Sequence, residues 1–144
     1  MIIRIKKLNE NATVPTYGTE YSAGADLYNL NEAVTIRAHE TVLIHTGICA
    51  EIPEGYAGLI YARSGLASKR GLAPANKVGV VDADYRGEIM VALHNHSDID
   101  ATVDAGERVA QLVVTPFLKV EYQLADELSD TVRGAGGFGS TGIK

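Results

Sequence analysis

The stretch TVLIHTGICAEI, residues 41–52, decides the fold class. Val42, Ile44, Thr46, Ile48, Ala50 and Ile52 fall on one face, and Thr41, Leu43, His45, Gly47, Cys49 and Glu51 on the other. That period of two reads as one long strand. Outward from it, strand patterns recur at residues 2–6, 34–37, 56–61, 77–81, 88–94 and 108–117. They are separated by turn clusters such as PEGYAG, DADYRG and VDAGE. Short strands with frequent turns place the chain in the all-β class, as a sandwich, jelly roll or barrel. Helix is confined to SGLASKR, one short turn with Ser64 expected as its N-cap. Residues 77–94 read as a β-hairpin, and IMVAL and VAQLVV are apolar on both faces. Strands of that kind are covered on both sides, and in so small a domain the second cover is expected to be another copy of the chain.

Composition narrows the functional classes. A chain of 144 residues suits one domain with a single core. Its one cysteine, Cys49, permits neither an internal disulfide nor a multi-cysteine metal site, which points to a reducing, intracellular compartment. The net charge of −5, without a long basic run, argues against binding duplex nucleic acid. No stretch has the length of a secretory signal or a membrane span, so no membrane partner is expected. A small anionic ligand remains open if cations are gathered locally.

Five polar stretches stand where loops would carry chemistry. In AGADL (23–27), Asp26 follows a glycine turn and is either a turn carboxylate or a metal-site residue. In RSGLA (63–67), Arg63, Ser64 and Gly65 offer a guanidinium, a hydroxyl and backbone N–H groups suited to phosphate. In NKVGVVDADYRG (76–87), Asp82 ends a strand and is placed to activate water, Tyr85 to pack on a flat ring or sugar, and Asn76 to bond a base edge. In GERVAQ (106–111), Gln111 is an amide inside an apolar strand and needs partners. The tail RGAGGFGSTG (133–142) sets Arg133, Phe138, Ser140 and Thr141 among glycines that disfavour order until something holds them. Its residues 134–139 match G-x-G-x-x-G, but a dinucleotide fold also needs a following helix and an acidic residue about 20 positions on. His94 and His96 would share a strand face if the strand runs that far, yet two ligands make a poor metal site.

In this order and spacing, the five stretches resemble the five motifs of the trimeric deoxyuridine triphosphatases, which cleave dUTP to dUMP and pyrophosphate. One departure is visible: Ala62 stands where that family usually has proline before the arginine. The resemblance implies a distorted jelly-roll homotrimer with an exchanged C-terminal arm. A core of residues 1–132 would be followed by a glycine-rich lid at 133–144. Each of three sites would be built from three chains. Asp82 would deprotonate the attacking water, Tyr85 would pack on deoxyribose, and Asn76 would read uracil. Arg63, Ser64, Gly65 and Gln111 from a second chain would hold the phosphates. Asp26 would touch Mg²⁺ through water. Arg133, Phe138, Gly139, Ser140 and Thr141 from a third chain would close over the nucleotide. The implied role is to limit uracil entry into DNA and to supply dUMP for thymidylate synthesis. Two rivals are a dCTP deaminase of the same fold family and a non-catalytic nucleotide-binding module.

Overall fold

The period-two face of residues 41–52 is buried as expected, with Ile44, Ile48 and Ile52 at 0–2 % exposure and Leu43 opposite them at 47 %. The strand itself is broken. In the computed structural model, which describes residues 1–30 and 32–137, the stretch forms two strands either side of Thr46 and Gly47. Gly47 takes φ 69°, and a Cβ there would lie 2.6 Å from Leu30 Cδ2. Only glycine fits such a turn at such close quarters. The break preserves side-chain parity and sends the two halves to different partners.

The described residues form twelve strands and one helix: β1 (Arg4–Lys7), β2 (Thr16–Tyr17), β3 (Ala25–Tyr28), β4 (Val34–Ile36), β5 (Thr41–His45), β6 (Ile48–Glu51), β7 (Tyr56–Tyr61), α1 (Ser64–Arg70), β8 (Leu72–Pro74), β9 (Gly79–Val81), β10 (Met90–Asn95), β11 (Ala101–Val103) and β12 (Arg108–Pro116). They assemble into four ladders, β1-β6, β5-β10-β8, β11-β4 and β2-β3-β12-β7-β9. The class is all-β, a distorted jelly roll with one short helix. One core, with Leu27, Ile36, Leu72, Leu93 and Val109 at its centre, joins all four ladders.

Three local expectations are corrected. Residues 77–94 are no paired hairpin: β9 bonds β7 in one ladder, while β10 bonds β5 and β8 in another. The intervening loop therefore crosses between sheets. Second, AGADL is only partly a break, since Asp26 lies within β3. Third, Ser64 is the first helical residue, and Arg63 (φ −84°, ψ 128°) is the N-cap without a side-chain cap bond. Gly71 ends the helix at φ 65°, its N–H donating to Leu66 O.

Of the two strands that are apolar on both faces, β12 buries adjacent Val109 and Ala110 within its own chain, whereas β10 is fully covered on only one face. Val91, Leu93 and Asn95 of β10 are buried, whereas Met90, Ala92 and His94 are half-buried. Asn95 shows how a polar group survives at 0 % exposure. Its Nδ2 donates to Ile36 O and Ile99 O, while its Oδ1 accepts from the N–H and hydroxyl of Ser97.

Candidate active site

β12 builds the first half of the site by lying between β3 and β7, with Gln111 opposite Asp26 on one side and Tyr61 on the other. Just past β7 the chain turns through Arg63 into α1. The result is a cavity of about 470 Å³ lined by Gly24, Asp26, Arg63, Ser64, Gly65, Arg108 and Gln111. Asp26 is 8 % exposed and ion-paired twice: Oδ1 accepts from Arg63 Nε at 2.8 Å, and Oδ2 from Arg108 Nη1 at 3.2 Å. Two guanidiniums around one carboxylate leave the cavity a net positive charge, the sign a phosphate chain needs. Gln111 Nε2 donates to Ala62 O at 2.9 Å, so the residue standing in place of proline contributes its backbone carbonyl. Gly24 makes room for that amide, since a Cβ there would lie 2.6 Å from Gln111 Oε1.

The second half lies along the crossing loop. A cavity of about 320 Å³ is lined by residues including Ile60, Asn76, Gly79, Asp82, Tyr85 and Glu88. Asn76 precedes Lys77, which sits at φ 64°, and its amide packs against Gly79. Asp82 is exposed immediately after β9, and its carbonyl accepts from Tyr85 N–H at 3.2 Å. The Tyr85 hydroxyl donates to Glu88 O at 2.9 Å, and the ring lies so close to Gly87 that a Cβ there would clash with the hydroxyl.

The two cavities share no lining residue. Asp26, Arg63, Ser64, Gly65 and Gln111 are brought together, as are Asn76, Asp82 and Tyr85. Arg133 lines neither cavity. It is exposed, and its Nε donates to Gly136 O within its own turn at 2.7 Å. Phe138, Gly139, Ser140 and Thr141 lie outside the described residues.

Three contributors were not legible as site residues: Arg108, Gly24 and Glu88. Glu88 receives the Gly47 N–H at Oε1 (2.8 Å) and faces His45 Nδ1 with Oε2 (2.9 Å). Burial pushes its carboxyl up, but the bonds from His45, Gly47 and Thr46 outweigh burial and hold it below the ordinary glutamate value.

The donor set has a consequence for metals. Among the described residues, no group of three or more His, Cys, Asp or Glu side chains is placed to hold an ion. His94 and His96 instead stack edge to face with centroids 4.3 Å apart, and His94 Nδ1 bonds the Thr41 hydroxyl. Burial, helped by Lys77 and the neighbouring histidines, holds His96 below its usual value. Because a guanidinium already occupies each Asp26 oxygen, that carboxylate suits a metal reached through water better than one bound directly. Among the described residues, no helix is long and apolar enough to cross a membrane.

The family model described as dUTPase matches residues 10–142. A deoxyuridine 5'-triphosphate nucleotidohydrolase of Hydrogenobaculum sp. is 51 % identical over the full length of both chains. One from Picosynechococcus sp. is 49 % identical over 99 % of each. Among solved structures, the dUTPase of Staphylococcus bacteriophage 80alpha with dUPNHPP superposes with a TM-score of 0.90 at 30 % identity, covering 99 % of each chain. A dUTPase variant from phage phi11 of S. aureus, described as coordinating a structural Mg(II) ion, superposes with a TM-score of 0.79 at 27 % identity, covering 88 % of this chain and 98 % of that one.

Proposed function

The chain belongs to the dUTPase family and is a dUTP diphosphatase, and from that premise we propose how its residues cleave dUTP to dUMP and pyrophosphate. Uracil enters the cavity beside Asn76. Its N3–H and O4 meet the side-chain amide and the neighbouring backbone, and cytosine, with donor and acceptor reversed, leaves buried groups unpaired. Thymine is refused sterically by the backbone of the 76–87 segment. Deoxyribose packs on Tyr85, where a 2'-hydroxyl has no room.

The phosphates lie against Arg63, Ser64, Gly65 and Gln111, with Arg108 adding positive charge. Asp82 accepts a proton from the water that attacks the α-phosphate. General-base help contributes roughly 10²- to 10⁴-fold, so positioning and charge neutralisation supply the larger share of catalysis. The family points to a divalent metal, and we assign it as Mg²⁺, reached by Asp26 through water; when bound, it would neutralise charge on the phosphate chain. Arg133, Phe138, Gly139, Ser140 and Thr141 form the lid, within an arm spanning 133–144 that follows a core of residues 1–132.

One observation carries the assembly: Asp82 and the Arg63–Gln111 group line separate cavities of one chain. A complete site then combines the nucleoside half of one copy with the phosphate half of another. Met90 and Ala92, on the half-buried outer face of β10, line the nucleoside cavity, so the apolar surface open to a second copy borders the site itself. We assign a homotrimer with exchanged C-terminal arms and three shared sites, working in the cytoplasm.

The test is pyrophosphate release across dUTP and the four standard dNTPs, with ammonia release from dCTP measured in parallel. Rapid release from dUTP alone, cut at least about 10²-fold by Asp82→Asn with dUTP binding retained, is the expected result. Ammonia from dCTP, or tight dUTP binding without pyrophosphate, overturns it in favour of a deaminase or a binding module.

A further inference from the structure

The loop that carries Asp82 and Tyr85 is exposed and bonded mostly to itself. Tyr85 N–H reaches Asp82 O, and Arg86 Nη1 reaches Ala83 O and Tyr85 O at 2.6 and 2.9 Å. Arg86 also faces Glu51 across a long 4.0 Å ion pair. Among the described residues, the hydrogen bonds that tie residues 82–88 to a distant part of the chain are those of the Glu88 carboxylate.

Its anchor is rigid. Gly47 is buried, held at φ 69°, and closed in by Leu30 and Ala12, so the β5–β6 break has little freedom to shift. Ile89 continues the stitch: its N–H donates to Ile48 O at 2.8 Å, and its carbonyl accepts from the Thr46 hydroxyl. Glu88 stands at the junction of this fixed seam and the loop. It presents its side chain, 18 % exposed, to Gly47 and His45, and its carbonyl to the Tyr85 hydroxyl. The tyrosine ring is thus held between the Glu88 carbonyl and the bare face of Gly87.

We propose that Glu88 is a positioning residue: its carboxylate locks the end of the 82–89 loop to the β5–β6 break and so fixes the Tyr85 ring against which deoxyribose is distinguished from ribose. The inference rests on the reading of Tyr85 as the sugar platform. A carboxylate bonded on both oxygens resists rotation, and the loss of both bonds would also leave the buried Gly47 N–H unsatisfied. Asp82 directly follows β9, whose pairing with β7 is independent of Glu88, so the catalytic carboxylate should be less affected than the ring.

The experiment measures kcat and KM for dUTP and UTP in the parent, Glu88→Ala and Glu88→Gln. The alanine variant should raise KM for dUTP and lower the dUTP-over-UTP preference in kcat/KM, each by roughly tenfold, the scale of one buried group left unpaired, with kcat much less changed. Glutamine, which still accepts from Gly47, should recover most of both losses. An alanine variant with parental KM and preference, or one that loses kcat alone, overturns the proposal. Should alanine not fold, Glu88→Asp, with charge kept and reach shortened, carries the same expectation. If the parent itself releases no pyrophosphate from dUTP, the enzymatic reading has failed, and the clamp is judged by amide hydrogen exchange at residues 82–88. Glu88→Ala speeds that exchange if the clamp is real and leaves it unchanged if it is not.

Discussion

Arg63 donates its Nε–H to Asp26 Oδ1 at 2.8 Å, joining the residue before α1 to the centre of β3. Arg63 Nη1 also donates to Arg108 O at 3.4 Å, and Arg108 braces the same carboxylate from β12. Asp26→Asn keeps the shape but leaves two guanidiniums with no anion between them. Stability should fall by about 1.5–3 kcal/mol, the range for hydrogen bonds to charged groups. More divalent metal should be needed for half-maximal pyrophosphate release. Thermal denaturation and a metal titration check both; an unchanged metal requirement removes Asp26 from the metal's surroundings.

Gly24 is expected to matter through Gln111. A methyl at position 24 must displace the Gln111 amide, whose oxygen would stand 2.6 Å away, or move β3 from β12. Gly24→Ala should cost about 1–3 kcal/mol by overpacking and raise KM for dUTP more than it lowers kcat. Steady-state kinetics beside a melting curve separate the two effects. Normal KM with a normal melting point would mean that Gln111 has room the geometry does not give it.

How much of this was legible in sequence depended on whether the cause was local. Alternation through residues 41–52 gave the buried face correctly because a strand's periodicity is a property of adjacent residues. The break at Gly47 was not legible, because its cause is the packing of Leu30 and Ala12, residues from earlier in the chain. Residues 77–94 looked like a hairpin because turn residues separate two apolar runs, yet β9 and β10 find partners in different ladders. The motif residues Arg63, Asn76, Asp82, Tyr85 and Gln111 were visible as polar groups at strand ends or inside apolar runs. Glu88 and Arg108 carried no such local signal, since their partners lie 41 to 43 and 82 positions away.

Glu88 also predicts a pH effect. Its folded carboxyl is held below the ordinary value despite burial, so its ionised form favours the folded state. That contribution is present above the unfolded value, about 4.3, and is lost as pH falls through the lower folded value. The melting-point gap between the parent and Glu88→Gln should therefore be widest near neutrality and narrow on acidification. A gap that does not change with pH would mean that the carboxylate's charge contributes nothing.

The arm is expected to serve the reaction more than the fold. Deleting residues 133–144 should leave the melting point nearly unchanged, because Arg133 bonds only within its own turn among the described residues. Hydrolysis should collapse. Phe138→Ala alone should weaken nucleotide binding by roughly 1–3 kcal/mol, the range for an aromatic stacked on a base. Truncated protein that turns over dUTP at the parental rate refutes the lid.

Whether one site draws on two chains can be read by mixing two inactive variants. Asp82→Asn damages the nucleoside cavity, and Arg63→Gln damages the phosphate cavity, with an amide retained toward Asp26. Each alone should be nearly inactive. Refolded together in equal amounts, with mixed oligomers verified by mass, they should regain roughly a quarter of the parental pyrophosphate release, as random assortment in a closed cyclic trimer requires. Verified mixed oligomers that stay inactive would contradict the account, since they would place Asp82 and Arg63 of the same chain in one site.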